Sequence, residues 1–443
     1  MRSLDSRTYL MVLPVHYYRL DSHTVALESA FVKHLKLLRE RISPVFTHLV
    51  VGLVEMSDED YFSRKQGLSI VDESEAGIRF RSLYRVQDLS SKVQQFFQLF
   101  RVTSTLRNLI SQCDLLHTGL TANIWFPMEF IAILLGKFLR KPTVYVVDID
   151  FRKTAQMSYE TGDWSLKSYL LCRYIYDRFR ALQIHCASRI CSLILLKGEK
   201  LCRDFGKDKP NVKNFLDAAH SKHHIISRDR LAQKLLELED QGQPLEIVYF
   251  GRLTPYKGVD RCLRAVAIAH HQLGCDVMFH IIGSGEQAEA LKHLAQSLGI
   301  SERVVFHGAL PFDQAFFEKL YFYHLLLAAP LNEDTPRSAL DAMAAGIPIL
   351  AFDTYYYRDL SSTGAVDTVA WPSIEEMSQK IAYYSKHRDL LADMAVRAVE
   401  FAKQNTQEEW LERRFAWTLT YADLDYPASS PSRSAQRQLS NVS

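Results

Sequence analysis

The sequence predicts an α/β protein of two doubly wound domains. Three observations lead there. Short apolar runs of the kind that buried parallel strands need alternate with helical periodicities through the first half of the chain. The alternation starts afresh after Asp240, behind the turn-like Gln241-Gly242-Gln243-Pro244. The length, 443 residues, also exceeds what one hydrophobic core ordinarily organises.

The elements follow in order. Tyr9–Val15 reads as a first strand, and Thr24–Ile42 as a helix with Leu27, Phe31, Leu35 and Leu38 on one face. His48–Val54 is a strand, Phe96–Ile110 a helix, Leu115–His117 a short strand and Met128–Leu139 a helix. Thr143–Val147, all Thr, Val and Tyr, has the composition of a buried parallel strand. Trp164–Cys186 carries aromatics, leucines and arginines at helical spacing. Such a helix either lies on an anionic membrane surface or packs on its own domain with its arginines solvated, and the second is the expectation. In the second half the strands are Ile247–Phe250, Val277–Ile282, Val304–Phe306, Leu325–Ala329 and Ile349–Phe352. The helices between them are Val259–Gln272, Gln287–Leu298, Gln314–Tyr321 and Arg337–Ala345. Thr406–Tyr421 is a last helix, and the Ser/Pro/Arg/Gln-rich residues 426–443 lack the apolar content to order themselves.

Bulk properties remove several classes. A net charge of +2 speaks against a dedicated nucleic-acid binder. Seven cysteines, an odd number without C-x-x-C spacing, speak against a disulfide framework and a zinc site, and fit reduced thiols in the cytoplasm. The first apolar run is short, broken by Pro14 and followed by no small-residue cleavage site, so a buried strand is expected rather than a leader. The apolar stretch Ile124–Leu139 holds Pro127, Glu129 and Lys137, short of the roughly 20 apolar residues of a membrane span.

Chemistry-bearing residues gather in the second half, mostly just past strand ends, where doubly wound sheets bind ligands. Gly251 ends one strand and lets a ligand approach, while Arg252 and Lys257 follow on the loop, two cations suited to a diphosphate. Gly283 and Gly285, within Ile282-Gly283-Ser284-Gly285-Glu286, form a strand-to-helix turn whose N–H groups can face an anion, though a tight turn alone explains them equally. The run Glu333-Asp334-Thr335-Pro336-Arg337-Ser338-Ala339-Leu340-Asp341 is the most specific. Thr335 is placed as the N-cap and Pro336 at the first helical position, so the helix terminus offers N–H groups to a phosphate. Glu333 precedes the helix, and Asp341 lies about two turns inside it. If both face the ligand, they accept hydrogen bonds from sugar and ribose hydroxyls; if not, they are the solvated acids of a capped helix. Gly346-Ile347-Pro348 then turns into the next strand.

The order G-R-L, K-G, G-S-G-E, two acids eight positions apart and A-G-I-P resembles family 4 of the retaining glycosyltransferases, the group 1 glycosyl transferases, over residues 245–371. The resemblance implies two Rossmann-like domains in the GT-B arrangement. It implies an acceptor-side domain over 1–225, a donor-side domain over 226–405, and a helix over 406–425 that crosses back to the first domain. By this resemblance Arg252 and Lys257 hold the donor diphosphate and Glu333 contacts the transferred sugar, these three being the catalytic set. Gly251, Gly283, Gly285, Thr335, Pro336, Arg337, Ser338 and Asp341 are the further donor-binding positions. Asp341 stands where the family has a second glutamate that contacts ribose. His117, ending Asp114-Leu115-Leu116-His117, is similar to the family's D-x-x-H strand end. Where the family has a His-Asp pair after a later strand, this chain has Val147-Asp148-Ile149-Asp150, so the His is absent and Asp148 or Asp150 stands in its place.

The implied function is transfer of a sugar from a nucleotide-sugar to the hydroxyl of a glycan, lipid-linked sugar or small molecule, with retention and as part of polysaccharide biosynthesis. Neither metal nor cofactor is implied, since the nucleotide-sugar is a substrate. The implied location is cytoplasmic, with peripheral contact at the inner membrane face left open. A sugar-nucleotide epimerase on the same fold, or a degenerate nucleotide-sugar-binding subunit, is the alternative.

Overall fold

The strands are set by where apolar runs pair. The computed structural model describes residues 7–424 other than 90, 122 and 208. Among these residues the first domain contains β1 (Thr8–Arg19), β2 (Thr24–Glu28), β3 (His48–Glu55), β4 (Leu68–Asp72), β5 (Ile78–Arg85), β6 (Leu115–Gly119), β7 (Thr143–Val147), β8 (Leu193–Leu196) and β9 (Val212–Asn214). The order β5-β3-β1-β6-β7-β8-β9 is parallel throughout, with β2 and β4 attached as an antiparallel annex to the end of β1. Every residue of β7 and β8 is buried, as expected of a sheet covered on both faces. Helices Lys92–Gln112, Met128–Phe138 and Asp177–Ile190 cover one face, over Leu10, Leu116, Tyr145 and Ile194. Helix Ser29–Ile42 and the final helix Gln407–Ala422 cover the other, over Tyr9, Met11, Leu115 and Val144.

Two expectations are corrected here. Residues 24–28 are a strand, and the helix begins only at Ser29. Pairing of β2 with β1 and with the distant β4 buries Val25 and Leu27 completely, and that gain overrides a local pattern that also fits a helix. The helix read over Trp164–Cys186 runs instead from Leu166 to Ile190, its α segments Leu166–Leu171 and Asp177–Ile190 joined without a break by a π turn at Cys172–Tyr176. Ile184 and Ala187 pack inward, but Leu166–Leu171 contributes no buried residue.

The second domain holds β10 (Leu245–Phe250), β11 (Val277–Ile282), β12 (Val304–Gly308), β13 (Leu325–Ala328), β14 (Ile349–Phe352) and β15 (Val366–Val369). They form an all-parallel sheet in the order β12-β11-β10-β13-β14-β15. Strand order reverses between β10 and β13, so the following loops diverge and leave a crevice beyond their carboxyl ends. Helices Ile374–Lys386 and Arg388–Lys403, and β15, complete the domain beyond the elements read from sequence. All seven cysteines are unpaired. No helix among the described residues is long and apolar enough to cross a membrane. The tail expected over 426–443 lies outside the described residues.

Candidate functional site

The crevice beyond β10 and β13 is built from interlocked loops. After β10, the N–H of Gly251 donates to the Ile282 carbonyl (3.0 Å) and that of Leu253 to the Ser284 carbonyl (2.9 Å), so the two glycine loops run against each other. The contact requires glycine. Gly283 has φ of 152°, and a Cβ there would lie 1.9 Å from the Gly251 carbonyl oxygen. The chain then makes a 3-10 turn at Pro255–Lys257 and enters helix Val259–His271 through Gly258.

That turn aims Lys257 at the loop after β13, where its ammonium is ion-paired with the Asp334 carboxylate. Asp334 also accepts from the Thr335 N–H (2.9 Å), which fixes the carboxylate and therefore the lysine. Arg252 is exposed on the same loop, with Nη2 donating to the Tyr256 hydroxyl (3.3 Å). Lys257, Asp334, Pro336 and Ser338 line one small pocket with Tyr249 and Tyr357.

Glu333 is 3% exposed, and both carboxylate oxygens accept from the Tyr355 N–H at 3.1 and 3.2 Å, at the start of helix Tyr355–Ser361. Burial pushes its pKa from 4.5 up to about 7; the Tyr355 N–H opposes this, the negative charge of Asp150 adds to it, and Lys153 and Arg358 oppose it. Asp150 and Lys153 belong to the first domain, so Glu333 faces the opposite wall of the cleft.

The structure revises one expectation near this acid and shows the surroundings of two further residues. Thr335 does not cap the helix, which begins at Ser338 with no side-chain cap. The residue before a proline is held extended, and the Thr335 hydroxyl instead donates across the cleft to the Asp148 carbonyl (2.9 Å). Its own carbonyl accepts from Lys197 Nζ (3.2 Å), so Thr335 joins the domains. Asp341, expected at the ribose, is 3% exposed, and its Oδ1 accepts from the His220 N–H (2.8 Å) and the Ala219 N–H (3.3 Å), with His220 Nδ1 at 3.3 Å. That oxygen braces the segment connecting the two domains. His117 is drawn into a buried cluster beneath the last helix, with Nδ1 2.7 Å from the Tyr9 hydroxyl and His34 and Arg414 lining the same cavity. Burial, reinforced by Arg414 and His34, lowers its pKa to about 3.

Of the two aspartates in the first domain's loop, Asp150 is the one whose charge reaches Glu333, and its carboxylate is held by Arg152 (Nε, 2.7 Å). Asp148 is raised by burial, against the pull of Lys197 and Arg414. Arg337 is exposed, and its charge is felt at His34 and Lys197 across the cleft. Sequence reasoning missed Asp334, Lys197 and Lys153. Lys197 follows directly after β8 and would have been found by applying the strand-end rule to the first domain as well.

Two parallel-sheet domains facing each other, with the second domain's loops gathered at the cleft, define the GT-B class. Residues 234–403, within the carboxy-terminal domain, match the model of the glycosyl transferases group 1. The chain is 32% identical over 122 residues to 2-deoxystreptamine glucosyltransferase of Streptomyces kanamyceticus, covering 27% of this chain. It is 31% identical over 169 residues to D-inositol 3-phosphate glycosyltransferase of Nocardia farcinica, covering 36% of this chain. The matches span 30% and 37% of those two relatives, about a third of each. Over the whole fold, the crystal structure of HepE of Anabaena in complex with UDP superposes with a TM-score of 0.59 at 15% identity, covering 94% of this chain and 99% of that one.

Proposed function

We propose that this chain transfers a sugar from a nucleotide-sugar donor, bound at the carboxyl ends of β10, β11 and β13, to an acceptor hydroxyl on the first domain's side. The observation that carries this reading is Glu333, buried at the cleft with its pKa pushed up to about 7 and next in sequence to Asp334, the ion-pair partner of Lys257. A carboxyl in that state both donates and accepts hydrogen bonds, which suits the hydroxyls of a hexose. Arg252 and Lys257 lie on the loop where a departing diphosphate gathers negative charge, and fixed cations there stabilise it without a metal. Retention follows from an acceptor that approaches on the face the diphosphate leaves. The group 1 match of the second domain supports the reaction class. The UDP held by HepE supports a nucleoside diphosphate as the departing group. The names of the two relatives support a hydroxyl acceptor. Free thiols throughout support the cytoplasm.

The test is incubation with UDP-, GDP- and ADP-sugars, first alone and then with candidate glycan, lipid-linked and small-molecule acceptors. Acceptor-dependent release of nucleoside diphosphate is expected. Conversion of donor alone would identify an epimerase, and binding without turnover a non-catalytic subunit.

A further inference from the structure

We infer that the outer face of the first domain's helix layer docks on a bilayer containing anionic lipid. Helices Lys92–Gln112, Met128–Phe138 and Asp177–Ile190 lie side by side on one face of the sheet, with Leu166–Leu171 and the π turn extending the row. Their inward sides fill the core, and their outward sides carry large apolar groups. On the first helix Phe96, Phe97 and Phe100 are 59, 68 and 64% exposed, and on the second Phe138 is 75% exposed. On Leu166–Leu171 and the π turn, Leu166, Leu170, Leu171, Tyr174 and Ile175 line an open groove, with Lys167 at its edge. Leu166–Leu171 contributes no buried residue, and Leu166, Leu170 and Leu171 are 54, 42 and 41% exposed.

Charge identifies the occupant. Within residues 92–112, 128–138 and 166–190 the carboxylates are Glu129 and Asp177, and both are buried, at 3% and 5% exposure. The exposed charges on the same helices are cations, among them Arg101, Arg107, Lys137, Lys167, Arg173 and Arg178. Exposed aromatic and aliphatic groups among unopposed cations match an interface of acyl chains beneath anionic headgroups. A second copy of the chain would set cations against cations. Arg173 donates to the Arg152 carbonyl (3.4 Å), which ties this segment to the Asp150 loop, so the docked bilayer lies beside the cleft.

The proposal stands independently of the sugar-transfer reading, because flotation reads binding alone. Purified protein is floated with phosphatidylcholine vesicles, with and without about one third phosphatidylglycerol, across a salt series. Flotation is expected only with the anionic vesicles and should weaken as salt rises. Replacing Lys137, Lys167 and Arg173 together by Gln should weaken it about 100-fold, since each cation near such a surface contributes about 5-fold. Replacing Phe97, Phe138 and Tyr174 together by Ser should abolish the residual binding at high salt. All six side chains are exposed, so both triple variants should keep the wild-type thermal transition; if one does not, the wild-type salt and lipid series decides. Absence of flotation, equal flotation on neutral vesicles, or a vesicle-free dimer dispersed by the Ser substitutions would overturn the proposal.

Discussion

Replacing Glu333 with Gln tests the cleft most directly, because burial sets the size of the effect. In the unfolded chain the carboxyl titrates near 4.5, and in the folded protein at about 7. Between those values the folded state keeps a proton that the unfolded chain has released, so stability falls as pH rises through this window and the loss is complete above it. The gap, at about 1.4 kcal/mol for each pH unit, corresponds to ~3 kcal/mol. Glu333→Gln keeps the shape and the acceptor for the Tyr355 N–H but carries no proton to lose. Urea unfolding at pH 5 and pH 8 should therefore show wild type losing ~3 kcal/mol more than the variant. Differencing removes every other group that titrates in the range, provided none couples to Glu333. The variant should also bind nucleoside diphosphate by calorimetry while transferring sugar slowly. An equal pH slope in both proteins would show that Glu333 ionises as an ordinary surface acid, and the reasoning would fail.

Further outcomes are expected at the same cleft and beyond it. Arg252→Ala and Lys257→Ala should each lower kcat by roughly 10²–10³-fold in initial-rate assays, and near-wild-type rates would remove this loop from the site. Transfer should persist after exhaustive chelation; complete loss restored only by magnesium or manganese would contradict charge stabilisation by side chains. Gly283→Ala, whose methyl would lie 1.9 Å from a backbone oxygen, should cost ~3 kcal/mol or more by urea unfolding, and a neutral result would mean the loops are not interlocked. Lys234 is buried, donates to the Ala345 carbonyl (3.0 Å), and burial lowers its pKa from 10.5 to about 7. Its folded value is depressed, so its cost to stability is full below pH 7 and fades as pH rises toward 10.5. Lys234→Met should thus gain up to ~5 kcal/mol at pH 6 and progressively less in alkaline solution.

The second domain was legible because buried parallel strands are continuous apolar runs. Val277–Ile282 and Ile349–Phe352 were bounded correctly from composition alone. The first domain was less so. Whether Thr24–Glu28 is strand or helix is decided by β4, some forty residues on, and nothing local records that pairing. The π turn at Cys172–Tyr176 leaves no mark in a pattern that is helical on either side. At the site, residue types at strand ends marked the loops but not the partners within them. Lys257 was readable as a cation, yet its pairing with Asp334 depends on two loops seventy-seven residues apart. Asp341 was readable as an acid on a helix, yet what its Oδ1 meets is the connecting segment at His220. The N-cap assigned to Thr335 failed because a hydroxyl beside a proline had a better acceptor on the other domain.

The last helix has a consequence for how the protein is made. Trp410, Phe415 and Leu419 lie in the same buried cluster as Tyr9, Leu115, Val144 and Leu195 of the first sheet. A ribosome delivers those strands first and the helix that covers them last, with the entire second domain in between. The first sheet is therefore fully covered only after the whole second domain has been synthesised. Until residues 407–422 leave the exit tunnel, one face of the nascent first sheet keeps an apolar stripe open to whatever is nearby. The second domain, by contrast, draws its core clusters from residues that are all made before that helix.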